Sequence, residues 1–73
     1  MPSEKIRTWC DEHINIKHTL IPTERGFKVE FENGETYEYR VAEWGRKRRR
    51  TQVYINGNLE GENIYERGMV VCR

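Results

Sequence analysis

The sequence predicts a single α+β domain over residues 1–73, with one N-terminal helix packed on an antiparallel sheet of three to five strands made of hairpins. Two observations predict it. Apolar residues at the start of the chain recur with the period of an α-helix, and from residue 14 onward they alternate with polar residues, as in strands. Turn-forming Asn-Gly and Arg-Gly pairs separate the alternating segments. A chain of 73 residues buries only about 60% of its unfolded surface, so the core must be small.

The helix is predicted over about residues 3–14. Ser3 is a suitable N-cap, because its hydroxyl can accept a hydrogen bond from the first turn. One face of the helix is apolar at spacings of i, i+3, i+4 and i+7, and it comprises Ile6, Trp9, Cys10 and His13. Three turns of isolated helix are not stable in water, so this face must pack on the sheet.

A short strand is predicted within residues 16–21, where apolar and polar side chains alternate. Pro22 ends this strand or marks it as an edge strand, since proline cannot donate a ladder hydrogen bond. The segment 23–26 reads as a turn that closes on Gly26.

The clearest hairpin is predicted over about residues 27–41, with Asn33-Gly34 between its strands. A two-residue loop would pair Val29 with Glu38 and put the apolar faces out of register. A three-residue loop over 32–34, with Gly34 left-handed, instead pairs Val29 with Tyr37. We therefore predict the three-residue loop, with Phe27 opposite Tyr39 and Lys28 opposite Glu38.

A second hairpin is predicted over about residues 51–71. Val53 and Ile55 supply its apolar face, the chain turns at 56–58, and Leu59 returns beside Ile55. The stretch 60–63 is polar and is predicted to be flexible.

Two interpretations remain for the segment between these hairpins. In the first, a strand ends at Trp44, turns at 45–47 and returns as a strand from Arg48. In the second, residues 41–50 form a short basic helix. Gly45 and the lack of an apolar face disfavour the helix, so we favour a hairpin with a basic turn at 45–50. Its tip, charged on both faces, would project into solvent as a two-stranded ribbon.

Five consecutive cations, which we call the basic cluster, carry the functional hypothesis: Arg46, Lys47, Arg48, Arg49 and Arg50. The formal net charge is only +1, so the other residues hold eight basic against 12 acidic side chains. Such a concentration of positive charge is typical of proteins that bind nucleic acid, because guanidinium groups form paired hydrogen bonds to phosphates. The expected function is that of a small non-enzymatic nucleic-acid-binding domain, with three to five phosphate contacts and a log–log salt slope of about −3 to −4.5.

Trp44 precedes the basic cluster and is the candidate for stacking on a base. The competing interpretation places Trp44 in the core, as is common for tryptophan at a strand end. The alternative function is that of an inhibitor or adaptor protein that docks on an acidic surface of a partner protein.

Other kinds of site find little support. Cys10, His13, His18 and Cys72 are the residue types that bind zinc, but their spacing matches no zinc finger, and we predict no metal and no cofactor. The cysteines are interpreted as buried thiols in a reducing compartment, whereas in an oxidising one a disulfide between them would close a long loop. The carboxylates of the 27–41 hairpin are interpreted as solvated charges, so no enzymatic activity is expected.

The chain lacks a run of 18 apolar residues and an apolar leader segment, so we expect a cytoplasmic protein without membrane contact. An edge strand, at 14–20 or at the C-terminus, could form a homodimer by pairing with its copy.

Overall fold

The fold is one helix packed on an antiparallel sheet built of hairpins, as predicted. The computed structural model describes residues 4–66 and 69–72, with side chains described over 4–66. In chain order the elements are α1 (Glu4–His13), β1 (His18–Thr23), β2 (Gly26–Phe31), β3 (Thr36–Trp44), β4 (Arg48–Ile55), β5 (Asn58–Glu66) and β6 (Met69–Cys72). The strands lie in the sheet in the same order, β1 to β6. The sheet therefore reaches the upper limit of the predicted three to five strands at β5, and β6 extends it.

The β2–β3 hairpin has the predicted register. Val29 lies opposite Tyr37, and Phe27 lies opposite Tyr39. The Phe31 amide donates to the Glu35 carbonyl over 2.9 Å, which leaves a three-residue loop. Gly34 in this loop has φ 92°, a left-handed conformation that costs glycine little.

The first strand begins two residues later than the predicted segment and includes Pro22. Because β1 is an outer strand of the sheet, the missing amide of Pro22 is tolerated there. The turn into β2 comprises Glu24 and Arg25, and Gly26 pairs with Thr23. The edge interpretation of Pro22 is confirmed.

The β4–β5 hairpin differs from the prediction in two respects. Its turn is the two-residue Asn56-Gly57, and both residues have positive φ, 53° and 83°. Leu59 therefore lies opposite Tyr54 and not beside Ile55. The polar stretch 60–63, predicted to be flexible, forms the middle of β5, because its backbone pairs with β4 on one side.

The helix lies on the face of the sheet that carries Tyr37, Tyr39, Val53 and Ile55, which we call the helix-side face. The opposite face is called the outer face. Trp9 packs edge-on against Phe31 and parallel to Tyr37, with ring centroids 5.4 and 6.2 Å apart. The predicted apolar face of the helix is thus the face that docks.

The core is small. Among the residues with described side chains, the buried apolar ones are Ile6, Ile55 and Ile64, which are 5–7% exposed. Half-buried aromatic rings add to the packing on the helix-side face, where Phe27 stacks with Tyr37 and Tyr39. Within the described part of the chain, no helix has the length and apolar character needed to cross a membrane.

Candidate functional site

The basic cluster lies at the end of the β3–β4 hairpin. Gly45, Arg46 and Lys47 connect the two strands, and β4 begins at Arg48. The turn at 45–47 and the return strand from Arg48 are those of the hairpin interpretation, so the turn covers only part of the 45–50 segment and three of the five cations belong to β4. The helical interpretation of 41–50 is wrong, because this segment pairs with its neighbours as strand.

A β-bulge decides which way Trp44 points. The β3–β4 register shifts between Val41 and Glu43, so that Trp44 lies opposite Arg49. Strict alternation from Tyr37 would place Trp44 on the outer face, and the extra residue of the bulge moves it to the helix-side face. Arg49 belongs to the same face, because it alternates with Thr51 and Val53 along β4.

Trp44, Arg49 and Tyr65 form a ladder across three strands, which we call the aromatic ladder. Arg49 pairs with Trp44 on β3 and with Tyr65 on β5. Its guanidinium carbon lies 4.4 Å from the centroid of the Trp44 ring and 5.6 Å from that of Tyr65. These distances are those of cation–π contacts. The Arg49 Nε also donates a long hydrogen bond of 3.4 Å to the Gly45 carbonyl.

The aromatic ladder lies on the surface. Trp44 is 69% exposed and Tyr65 is 38% exposed. The interpretation of Trp44 as a core residue is therefore wrong, since the ten-residue helix packs over the other end of the sheet and leaves this end uncovered.

Arg48 and Arg50 project from the outer face, where each meets a carboxylate. Arg48 Nε lies 3.8 Å from Glu43 Oε1, with both side chains about half exposed. Arg50 Nε lies 3.7 Å from Glu62 Oε2 and has no hydrogen-bond partner among the described atoms. Glu62 also accepts a 2.9 Å hydrogen bond from Gln52, so Arg50 lies beside a fixed carboxylate.

The remaining two cations, Arg46 and Lys47, occupy the tip. Both side chains are exposed. Within the described residues no ion pair involves either of them, whereas Arg48 and Arg50 each have one. Within the basic cluster, the exposed cations that have neither an ion pair nor a cation–π contact among the described residues are therefore the two at the tip.

The prediction of a projecting two-stranded ribbon is wrong in one respect. Strand β5 pairs with β4 along its whole length, from Asn58 opposite Ile55 to Glu66 opposite Arg48. The basic end of the molecule is therefore at least three strands wide. It is one end of the sheet, and Glu66 of β5 lies beside Arg48 there.

Both histidines considered for zinc have other partners, and His18 Nδ1 lies 2.8 Å from the Ile16 carbonyl oxygen. His13 Nδ1 lies 2.6 Å from the Trp9 carbonyl oxygen, and its Nε2 contacts the Glu35 carboxylate. The described residues hold no group of three or more histidine, cysteine or acidic side chains placed to share a metal ion. Cys10 is a free, half-buried thiol, and burial together with Asp11 raises its pKa. The side chain of Cys72 lies outside the described residues, as does Ser3.

His13 and Glu35 shift each other's pKa values. Desolvation lowers the pKa of His13, but the Trp9 carbonyl and the Glu35 carboxylate outweigh it, so that the pKa lies above its ordinary value. Hydrogen bonds from Asn33 and His13 lower the pKa of Glu35. Since both ring nitrogens face acceptors, the imidazolium form suits this position, and the pair fastens the helix to the β2–β3 loop.

The sequence pointed to Trp44 and the basic cluster and missed Tyr65. The alternation of β5 indicates only that Tyr65 is a strand residue. The pairing that brings Tyr65 beside Arg49 depends on a bulge in β5, where Glu60 is the extra residue between Leu59 and Gly61. Neither bulge has a distinctive residue pattern in this chain.

Searches of protein-family models, curated proteins and solved structures gave no match to this chain.

Proposed function

We propose that this protein is a small, non-enzymatic nucleic-acid-binding domain whose basic end contacts the phosphate backbone. The observation that carries the proposal is the pair of exposed cations at the tip, Arg46 and Lys47, which have no ion pair among the described residues. Outside the basic cluster acidic residues outnumber basic ones, 12 to eight. A polyanion would therefore be attracted to this end of the molecule and repelled from much of the rest.

The five cations have different roles in this proposal. Arg46 and Lys47 bind phosphates directly. Arg48 joins them when a phosphate displaces Glu43, because an exposed ion pair at 3.8 Å contributes little free energy. Arg50 lies beside Glu62, and Arg49 lies between two aromatic rings. Both therefore contribute mainly to the positive electrostatic potential around the site.

The number of phosphate contacts is therefore two or three, fewer than the charge count alone indicates. The corresponding log–log salt slope is about −1.4 to −2.7, depending on whether the ligand is single-stranded or duplex. Contacts of this kind position the protein on the backbone and read no base sequence.

A charge-matched pair of double variants tests the proposal. Arg46→Gln with Lys47→Gln removes both tip cations, whereas Lys17→Gln with Arg25→Gln removes two exposed cations elsewhere. The two variants have the same net charge. Affinities for single-stranded DNA, duplex DNA and RNA are measured at two salt concentrations.

The tip variant should lose most of its affinity, and its salt slope should be about 1.4 to 1.8 units shallower. The control variant should keep both. Equal losses in the two variants, or an absence of binding to every nucleic acid at low salt, would contradict the proposal. In the latter case the same cations would be assigned to the acidic surface of a partner protein, and a pull-down from nuclease-treated lysate would test that function.

A further inference from the structure

We infer that the ligand is single-stranded, and that its bases stack on the aromatic ladder formed by Trp44, Arg49 and Tyr65. This inference rests on the proposed function and specifies its ligand. It depends on the width of the basic end and on the exposure of the two rings.

The width of the basic end disfavours insertion into a duplex groove. A B-DNA major groove is about 12 Å wide and admits a helix or a two-stranded ribbon. Here β5 accompanies β4 as far as Glu66, which lies opposite Arg48. Three strands at about 4.8 Å spacing, with side chains on both faces, exceed that width. Insertion would also bring the Glu66 carboxylate close to the phosphates along one side of the groove.

The exposed rings suit bases that are already unstacked. Trp44 is 69% exposed and Tyr65 is 38% exposed, and both lie on the helix-side face. Base faces are hidden inside a duplex and available in a single strand, where stacking on aromatic rings and on guanidinium planes is the usual mode of binding. Large exposed aromatic side chains on a small domain otherwise incur a solvation cost.

Arg49 keeps the two rings apart and in place. Its guanidinium group lies between them, 4.4 Å from one centroid and 5.6 Å from the other. The two rings are separated by two strand spacings, about 9.5 Å, so each can receive a different base. Arg46 and Lys47 at the adjacent tip are then placed to hold the backbone that leaves the ladder.

The test compares a 12-nucleotide thymidine oligomer with a DNA hairpin duplex of the same total length, both at low salt. The single strand should bind at least ten times more tightly. Trp44→Leu and Tyr65→Leu keep apolar bulk but lose the ring, and each should weaken single-strand binding about 5- to 150-fold while leaving duplex binding unchanged. Leu20→Ala removes another exposed apolar side chain, on β1 and 62% exposed, and should change neither affinity.

Fluorescence gives an independent measurement. In a Trp9→Phe variant Trp44 is the sole tryptophan, and stacking of a base should quench its emission on titration with the oligomer. Thermal melting of each variant establishes that it is folded before binding is measured.

The outcomes distinguish a failure of this inference from a failure of the proposed function. Equal affinity for duplex and single strand, with Trp44→Leu neutral, would overturn this inference and leave the proposed function standing. Absence of binding to both ligands would overturn both. Loss of binding to a partner protein in Trp44→Leu, without any nucleic-acid binding, would reassign the aromatic ladder to a protein interface.

Discussion

Ile6 of the helix lies directly on Gly61 of β5. A Cβ atom at Gly61 would be 2.5 Å from Ile6 Cδ1 and 3.9 Å from Ile6 Cγ1. Ile6 is one of the three buried apolar side chains among the described residues, 7% exposed. The absence of a side chain at Gly61 is therefore what lets the helix approach the sheet at this point, and the ion pair of Lys5 with Glu60, 3.1 Å long, flanks the contact.

Gly61→Ala should destabilise the protein by about 1 kcal/mol, because the added methyl group displaces the end of the Ile6 side chain. Ile6→Val, which removes Cδ1, should by itself cost about 1 kcal/mol. In the double variant the two losses should not add, since the methyl group introduced on β5 fills the space that Cδ1 vacates. Urea unfolding of the four proteins in a double-mutant cycle measures this coupling. Additive losses would show that Ile6 and Gly61 do not share this space.

Gly26→Ala should be more damaging than Gly34→Ala. A Cβ at Gly26 would clash with the Tyr39 carbonyl oxygen, a backbone atom that cannot rotate away. We expect a loss of about 3 kcal/mol or more. At Gly34 the space is open, and the substitution costs only the left-handed conformation, about 1–2 kcal/mol. Thermal and urea unfolding of the two variants should rank them in this order, and the reverse order would contradict the β2–β3 register.

The contribution of the His13–Glu35 pair to the free energy of unfolding should be greatest between about pH 4.5 and 6.5. Folding raises the pKa of His13, so its contribution is fully present below the ordinary value of 6.5 and is lost as the pH rises through the folded pKa. Folding lowers the pKa of Glu35, so its contribution is present above 4.5 and is lost as the pH falls. The urea midpoint of the wild type should therefore decline from about pH 6 to pH 9.

Glu35→Gln and His13→Gln should each flatten this decline, because either change removes the charge attraction across the pair. Glu12 also raises the pKa of His13, so some dependence should persist in Glu35→Gln. His18→Gln alters the exposed histidine and serves as the control. A decline that is as steep in His13→Gln as in the wild type would place its origin elsewhere.

Glu43→Gln should strengthen nucleic-acid binding. Its carboxylate is the ion-pair partner of Arg48, and the amide leaves that guanidinium free for a phosphate. The salt slope should become steeper by about 0.7 to 0.9, the value for one added contact. Stability should change little, since the pair is about half exposed. Glu32→Gln, in the exposed β2–β3 loop at the opposite end of the sheet, makes the same charge change away from the site. An equal gain in both variants would mean that net charge alone sets the affinity.

Local patterns were sufficient for the helix, the β2–β3 register and the strand interpretation of 48–55. Two constraints predicted the same register. The apolar residues of Phe27–Phe31 must share a face with those of Tyr37–Tyr39, and the loop must place Gly34 in a left-handed conformation. The position of the docking face followed in the same way from the spacing of Ile6 to His13. These features depend on neighbours within a few residues, which the sequence displays directly.

The face of Trp44, the role of Tyr65 and the pairing of β5 beside the basic cluster could not be predicted. Each depends on a bulge, at Ala42 or at Glu60, and a bulge changes the parity of every residue that follows it. The ion pairs that occupy Arg48 and Arg50 depend in turn on which face these residues take. Alternation along β4 separates Arg49 from Arg48 and Arg50, as observed, but it does not show which residues of the neighbouring strands lie beside them.

The strand order also bears on how the molecule reaches its native state. Every strand neighbours the strand before and after it in the chain, so each hairpin can close over a short loop on a microsecond scale. Docking of the helix on β5 brings together Lys5 and Glu60, which are 55 residues apart in the chain. Closing a loop of this length costs conformational entropy before the contact contributes any stability. We therefore expect the transition state to contain the central hairpins and to lack the helix. Substitutions at Ile6 should then accelerate unfolding and leave the folding rate nearly unchanged.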